Sequence, residues 1–378
     1  ACSRHRCESG YLILSRLELS NFRNYSQQEI DLSEGRNIIT GRNAQGKSNL
    51  LEAVYFLSHL RSNRAPRMRE LVKEGEDRAA LKGTIFDDPD RLNLKMAFGE
   101  KGRTIELNAQ RVESAARARG IFKCVLFAPE DLYIVKGDPA RRRDYFDETM
   151  EELGPVPANT VQQYRRVLRQ RNALLRKWED QQNLEDALAP WNEALVAAGA
   201  LITLERLKML EGIRDIASES YKAISGEEKG LTLDYKGTFD ASTGDEAATA
   251  DSMREALEKR AQEERRTRTT LVGPHREDVE IGLGGRGARF AASQGEQRTI
   301  AFCLRVAQKK YLRQQTGKAP VLLLDDVLSE LDEQRRHQVL NLVGVESQAI
   351  ITATELPASM EGQVDRLFVV EEGKVTIA

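Results

Sequence analysis

Eight consecutive residues, Gly41-Arg42-Asn43-Ala44-Gln45-Gly46-Lys47-Ser48, fit the pattern G-x-x-x-x-G-K-S/T, a loop that cradles phosphates. Its glycines let backbone N–H groups curl around phosphate oxygens, and the helix that follows adds the positive end of its dipole. Lys47 is placed to reach the β- and γ-phosphates, Ser48 to ligate Mg2+ through its hydroxyl, and Asn49 to complete the binding run. A second segment supplies the complement. Val321-Leu322-Leu323-Leu324 is apolar enough for a buried parallel strand and ends in Asp325-Asp326, at the strand end where open α/β sheets bind ligands. Asp325 fits the carboxylate that holds Mg2+ through its water shell. Asp326 fits the next position, where a carboxylate orients or deprotonates an attacking water. Together the two segments predict a site for ATP and Mg2+.

Ser293-Gln294-Gly295-Glu296-Gln297 precedes a helical stretch, TIAFCLRVAQKKYL. Ser-x-Gly-x-Gln opening a helix, after the phosphate loop and before Asp-Asp, resembles the signature motif of ATP-binding-cassette and SMC-type ATPases. A plain helix cap has the same look. In that class the serine and the helix N-terminus grip the γ-phosphate of a nucleotide bound to the opposite subunit. The resemblance therefore assigns Ser293, Gly295 and Gln297 to nucleotide contact, and makes Lys47, Ser293 and Asp326 the catalytic group. Ser329-Glu330-Leu331-Asp332 resembles the D-loop of the same class and equally suits a helix N-cap with an acidic first turn. Glu330 is the alternative to Asp326 as the group that orients water. Thr352 or Thr354 falls where that class keeps a γ-phosphate sensor.

These residues need a sheet to position them. Apolar alternation predicts strands at 11–19, 30–32 and 37–40, and helical spacing predicts a helix over 47–60. Strands at 80–86, 92–98 and 103–107, separated by turn residues, suggest an antiparallel lobe. The character changes at Leu153-Gly154-Pro155. Residues 156–224 are helix-forming, with breaks expected near 181–186 and at Pro190. Val161, Tyr164, Leu168 and Leu175 form a seven-residue stripe with Arg171 at the intervening position, which suits an antiparallel helical hairpin. Residues 237–251 read as a polar loop, 253–268 as helix, and sheet-like residues resume at Thr269.

Further blocks narrow the resemblance. Leu17-Glu18-Leu19-Ser20-Asn21-Phe22-Arg23-Asn24-Tyr25 stands before the phosphate loop. Phe127-Ala128-Pro129-Glu130-Asp131-Leu132 follows, then Gly137-Asp138-Pro139 with Arg141 to Arg143, and Gly273-Pro274-His275-Arg276-Glu277-Asp278. With SQGEQRT and LLLDDVLSELD, this set in this order resembles the RecF family of bacterial DNA-repair proteins, from about residue 12 to 356. The resemblance implies an α/β fold: an ABC/SMC-type P-loop ATPase head, a mixed sheet with helices plus an antiparallel lobe, carrying an inserted short helical arm. The head would be 11–150 and 268–378, the arm 151–267, and 1–10 an extension expected to be disordered. It also implies slow, Mg2+-dependent, DNA-stimulated ATP hydrolysis and an ATP-driven homodimer. The role implied is to act at duplex DNA and gap junctions with RecR, and often RecO, to load recombinase.

Composition is compatible with this and excludes rivals. Net charge is −2, so DNA contact must come from local patches rather than the overall field. Arg61, Arg64, Arg67 and Arg69 form one; Arg165, Arg166, Arg169, Arg171, Arg176 and Lys177 form another, although a solvated helix face looks the same. Few aromatics interleave them, which favours backbone contact to duplex over base stacking. No uncharged apolar run approaches the roughly 20 residues that cross a bilayer, so a soluble, cytoplasmic protein without membrane contact is expected. Lys47 and Ser293 are too far apart in sequence for a transporter ATPase subunit. Residues 155–267 are too few for the coiled coil of an SMC chromosome organiser, leaving another SMC-like or ABC-type ATPase with a structural role on DNA as the alternative. Cys2, His5 and Cys7 are better explained as a frayed terminus than as metal ligands.

Overall fold

The computed structural model describes residues 10–87, 89–113, 115–177, 184–327, 333–343, 347–356, 360 and 362–378. The opening cysteines and His5, like Ser329 to Asp332, lie outside the described residues. In chain order the elements begin with β1 (Leu12–Phe22), β2 (Tyr25–Asp31), β3 (Arg36–Thr40), α1 (Lys47–His59), β4 (Arg78–Asp87), β5 (Asp90–Gly99), β6 (Gly102–Leu107), β7 (Gln110–Arg111), α2 (Ala115–Ala118) and β8 (Cys124–Phe127). Then come α3 (Leu132–Lys136), α4 (Pro139–Leu153), α5 (Pro155–Arg176), α6 (Leu184–Ser225), β9 (Leu231–Lys236), α7 (Glu246–Thr267), β10 (Asp278–Leu283), β11 (Arg286–Gly287) and α8 (Ala288–Ala291). The chain closes with α9 (Gln294–Thr316), β12 (Val321–Asp325), α10 (Glu333–Val343), β13 (Ala349–Thr352), β14 (Arg366–Glu371) and β15 (Lys374–Ile377).

Two compact units result. The first takes in the chain up to Asp131, residues 219–227, and everything from Arg298 onward; the second takes in 132–218 and 228–297. Of the segment read as an arm, 151–267, all but 219–227 falls in the second unit, which also includes 132–150 and 268–297.

The first unit holds two six-stranded sheets, ordered β2-β1-β4-β5-β6-β7 and β15-β14-β3-β13-β12-β8. The former is antiparallel throughout, the lobe expected from the turn-punctuated strands. In the latter β14, β3, β13, β12 and β8 run parallel, with β15 added antiparallel at one edge. Its inner strands are short continuous apolar runs, as strands covered on both faces must be. Helix α1 is buried almost all round because both sheets pack on it. Leu50, Val54, Phe56 and Leu57 share one core with Leu14, Leu81, Ile85 and Phe98 of the antiparallel sheet and Leu126, Leu323, Ile350 and Phe368 of the parallel one.

The second unit is built on α4 to α7 and the sheet β11-β10-β9. Val161, Tyr164 and Val167 of α5 meet Leu195, Val196, Ala198 and Ile202 of α6 and Met253 and Leu257 of α7. Leu168 of the stripe also packs there, Leu175 joins a separate cluster with Leu184 and Leu188, and a third helix shares the main core, so these helices are more than a two-helix hairpin. Pro190 does not break α6, which runs through it. By length and composition α6 is apolar enough to cross a bilayer; in this fold its Leu195, Val196, Ala198 and Ile202 serve the three-helix core. The loop expected at 237–251 ends early, because Asp245 accepts the Ala248 N–H at 2.8 Å and starts α7.

The block Gly273 to Asp278 staples this unit. Tyr164 donates its hydroxyl hydrogen to His275 Nδ1 at 2.6 Å while His275 Nε2 donates to the Thr270 carbonyl at 3.0 Å. Arg206 donates to the Pro274 carbonyl and to Asp147, and Arg142 pairs with Asp278 through two nitrogens at 2.7 and 2.9 Å. Glu277 is buried among Thr203, Tyr235 and Arg206. Gly273 has φ +123, and a Cβ there would come within 2.5 Å of the Tyr164 hydroxyl.

Candidate nucleotide-binding site

Strand register brings the candidate residues to one end of the parallel sheet. Asp325 pairs with Thr352, and Thr352 with Ile39, so the loop leaving β3 and the carboxylates ending β12 flank the last residue of β13. Gly41 and Gly46 have φ +143 and +117, conformations that side chains rarely adopt. A Cβ on Gly41 would lie 2.4 Å from the Val370 carbonyl oxygen, and one on Gly46 2.5 Å from Asn24 Nδ2. The glycines of the motif are therefore required by the loop's path between β14 and the β1–β2 turn.

Arg42, Asn43 and Ala44 are exposed at the crown of the loop. Gln45 is turned aside, its Oε1 accepting the Glu372 N–H at 2.6 Å. Lys47 lies back along the loop, donating to the carbonyls of Gly41 at 2.6 Å and Arg42 at 3.0 Å. Burial lowers its pKa below the usual lysine value, against the pull of Asp326 and Asp325. Ser48 donates its hydroxyl to Asp325 Oδ1 at 2.8 Å, and Thr352 donates to the same oxygen at 2.9 Å. Burial pushes the Asp325 carboxyl up, opposed by these two hydroxyls and by the charge of Arg64, and reinforced by Glu130. Asp326 adopts φ +52, and its N–H donates to Thr352 Oγ1 at 3.0 Å. Of the two candidate sensor threonines, Thr352 is fully buried against the aspartates. Thr354 is exposed and offers its carbonyl to the Gly41 N–H at 3.3 Å.

The donor set fits a Mg2+-bound triphosphate. Ser48 and Asp325 present hard oxygens within hydrogen-bond distance of each other, and Mg2+ is usually held by one or two carboxylates plus substrate phosphates. Among the described residues no cluster of three or more His, Cys, Asp or Glu side chains is grouped as a metal site, and this chemistry needs none. When bound, the cation would supply charge neutralisation for phosphate oxygens.

Some supporting residues were not visible in the motif itself. Asn24 donates to the Gln45 carbonyl at 2.9 Å and accepts from Asn49 at 2.8 Å, so Asn49 braces the loop from below. Tyr25 donates to the Gly46 carbonyl at 3.0 Å. Arg23 makes two 2.8 Å bonds to Glu52, whose side chain is fully buried in α1. The signal was in the family-diagnostic run Phe22 to Tyr25, which is the floor of the phosphate loop. Arg64, read only as part of a DNA-facing patch, bears electrostatically on Asp325.

The signature segment lies in the second unit at the start of α9. Ser293 is exposed and forms a reciprocal cap with Glu296: its N–H and hydroxyl donate to Glu296 Oε2 at 2.7 and 2.8 Å. Lys229 donates to the other oxygen of Glu296 at 2.8 Å. The Lys229 ammonium and the Ser293 donors hold that carboxyl down to about 2. Gly295 is half-buried. Gln297 is buried, and its amide donates to the carbonyls of Ala288, Arg289 and Ala292. In this structure Gln297 braces the preceding turn instead of facing outward.

The basic patches are likewise partly consumed. Arg165 is bound by Asp147 and Glu151 at 2.8 and 3.0 Å, and Arg171 is buried against Glu264 at 2.7 Å. Arg166, Arg169, Arg176 and Lys177 are exposed on α5 and just beyond it.

Residues 13–376 match the family described as RecF/RecN/SMC N terminal domain. The DNA replication and repair protein RecF of Cyanothece sp. is 38% identical over 349 residues, covering 92% of this chain and 93% of that one. That of Acidothermus cellulolyticus is 37% identical over 378 residues, 97% of this chain and all of the relative. Among solved structures, the recombination mediator protein RecF-ATP in the RecFOR pathway superposes with a TM-score of 0.90 at 34% identity, covering 99% of this chain and 100% of that one. The Smc head domain of Pyrococcus furiosus bound to the C-terminal domain of ScpA has a TM-score of 0.57 at 18% identity over 97% of this chain and 96% of that one, a likeness of fold alone.

Proposed function

From the premise that this chain belongs to the RecF family, we propose that it is an ATP-dependent DNA-binding protein of recombinational repair, with slow Mg2+-dependent hydrolysis as its reset. The observation that carries the reading is the Ser48–Asp325 hydrogen bond of 2.8 Å, which ties the phosphate loop to the β12 carboxylates. The backbone N–H groups of Gly41 to Ser48 would bind the phosphates, with Lys47 swinging from its two loop carbonyls to phosphate oxygens. Ser48 and Asp325 would hold Mg2+, and Asp326 would orient the attacking water. Residues 11–150 and 268–378 would form the ATPase head and 151–267 the arm.

In this reading two copies related by a two-fold axis bury two nucleotides, with Lys47 of one chain and Ser293 and Gly295 of the other on each γ-phosphate. The exposed, helix-capping position of Ser293 supports this role. ATP favours the dimer through its higher affinity for that state, and hydrolysis releases it. Duplex DNA and gap junctions are the nucleic-acid partners, RecR and RecO the protein partners, and the cytoplasm the location. A relative solved as the recombination mediator RecF-ATP in the RecFOR pathway supports the placing of this chain in that pathway.

Sedimentation with ATP, ADP or no nucleotide, each with and without duplex DNA, tests the reading. A dimer is expected with ATP alone or ATP and DNA, and a monomer otherwise. Ser293→Arg is expected to bind ATP without dimerising. A dimer indifferent to nucleotide would overturn the proposal.

A further inference from the structure

Phe290 is 88% exposed and Tyr133 47% exposed, unusual for large aromatics on a surface otherwise rich in charge. They sit on α8 and α3, which pack against each other. Each ring carries a cation on one face: the Arg289 guanidinium is 5.3 Å from the Phe290 centroid and the Lys136 ammonium 4.6 Å from that of Tyr133. The patch is held in place from the signature helix. Gln297 bonds the carbonyls of Ala288, Arg289 and Ala292, fixing the turn that carries Phe290 three residues before Ser293.

We infer that this aromatic patch docks on a second copy of this chain and forms part of the ATP-dependent interface. The inference rests on the trans engagement of Ser293 proposed above. If Ser293 meets a nucleotide held by the partner, Phe290 approaches the partner's phosphate-loop flank with it. That flank exposes carboxylates, Glu371 and Glu372, on the turn whose N–H anchors Gln45. Cation-backed rings on one side and carboxylates on the other are complementary. A rigid aromatic anchor beside a polar contact is the composition of a protein–protein hot spot; a nucleic-acid strand on the same rings is the other outcome of the test.

The test is ATP-driven dimerisation of Phe290→Ala, Tyr133→Ala and Phe290→Trp, measured by sedimentation over a protein dilution series. ATP affinity of the monomers and urea midpoints are measured alongside. The alanine variants are expected to keep both of those values and to dimerise about 10- to 100-fold more weakly, the scale of one buried aromatic side chain. Phe290→Trp is expected to recover most of the loss. Alanine variants that dimerise like the parent would overturn the inference. So would a loss confined to affinity for single-stranded or duplex DNA, which would give the patch to nucleic acid. A parent that stays monomeric in ATP would sink the proposed function first, and this inference with it.

Discussion

At the scale of single residues, the site is a relay of hydroxyls around one carboxylate. Ser48 and Thr352 both donate to Asp325 Oδ1, and the Thr352 oxygen in turn accepts the Asp326 N–H. Asp326→Asn suits this backbone, because asparagine tolerates the left-handed conformation recorded at φ +52. The variant should bind ATP as the parent does and hydrolyse it about 100-fold more slowly or worse, and it should prolong any ATP-bound dimer. Filter binding and phosphate release separate the two effects; hydrolysis at the parent rate would move the water-orienting role elsewhere. Lys47→Met should abolish ATP binding. Its two bonds to loop carbonyls show that Lys47 also braces the loop. The variant should therefore also lose amide-exchange protection between Gly41 and Ser48. The residue types and spacing singled out Gly41 to Ser48 and Asp325-Asp326, because phosphate chemistry leaves few alternatives, and strand register brings the two segments to one end of the sheet. They did not reveal Asn24 or Tyr25 as the floor, since packing beneath a loop has no pattern of its own.

Elements show where charge in a sequence misleads. On α5, Arg165, Arg169 and Arg171 look equivalent by composition, but Arg171 lies on the apolar stripe and is 3% exposed in its pair with Glu264. Arg171→Ala should cost about 3–5 kcal/mol, because it leaves a buried carboxylate alone; urea denaturation measures this. Arg166 and Arg169, both exposed, are the residues to replace when testing DNA contact. Together their alanine variants should flatten the salt dependence of binding by up to about two log–log units, with little change in stability. The heptad stripe was legible, whereas β9 was not, because six residues on a second-unit sheet carry too little periodicity. The Gly273–Asp278 staple adds a pH signature. Burial, with the nearby charges of Arg276, Arg143 and Arg171, holds the His275 imidazole down to about 4, from 6.5 in an open chain. Because the folded value is depressed, the unfolded chain gains the proton first. The neutral ring's contribution is complete above about 6.5 and is lost as pH falls towards 4. Glu277, whose carboxyl is pushed up by burial, acts in the opposite sense. His275→Asn should accordingly show a smaller drop in urea midpoint than the parent between pH 6.5 and 4.

For the whole molecule, the family resemblance carried the fold. It implied a head built from both ends of the chain, and β3 lies between β13 and β14. The division into units was harder to read, because α6 and α9 each run across a boundary without any local change of composition. The central place of β3 also sets a schedule for synthesis. A nascent chain that has released only the first 300 residues carries every residue of the phosphate loop. It lacks both strands that flank β3, the Val370 carbonyl against which Gly41 is fitted, and the Glu372 N–H that holds Gln45. Such a chain should have no affinity for ATP, and neither should a chain cut after residue 364. Nucleotide retention on ribosome-stalled chains of increasing length would show binding appearing only as β14 clears the exit tunnel. Translation, not the cellular ATP supply, then times the protein's first encounter with its nucleotide, and a prematurely terminated product cannot compete for the triphosphate.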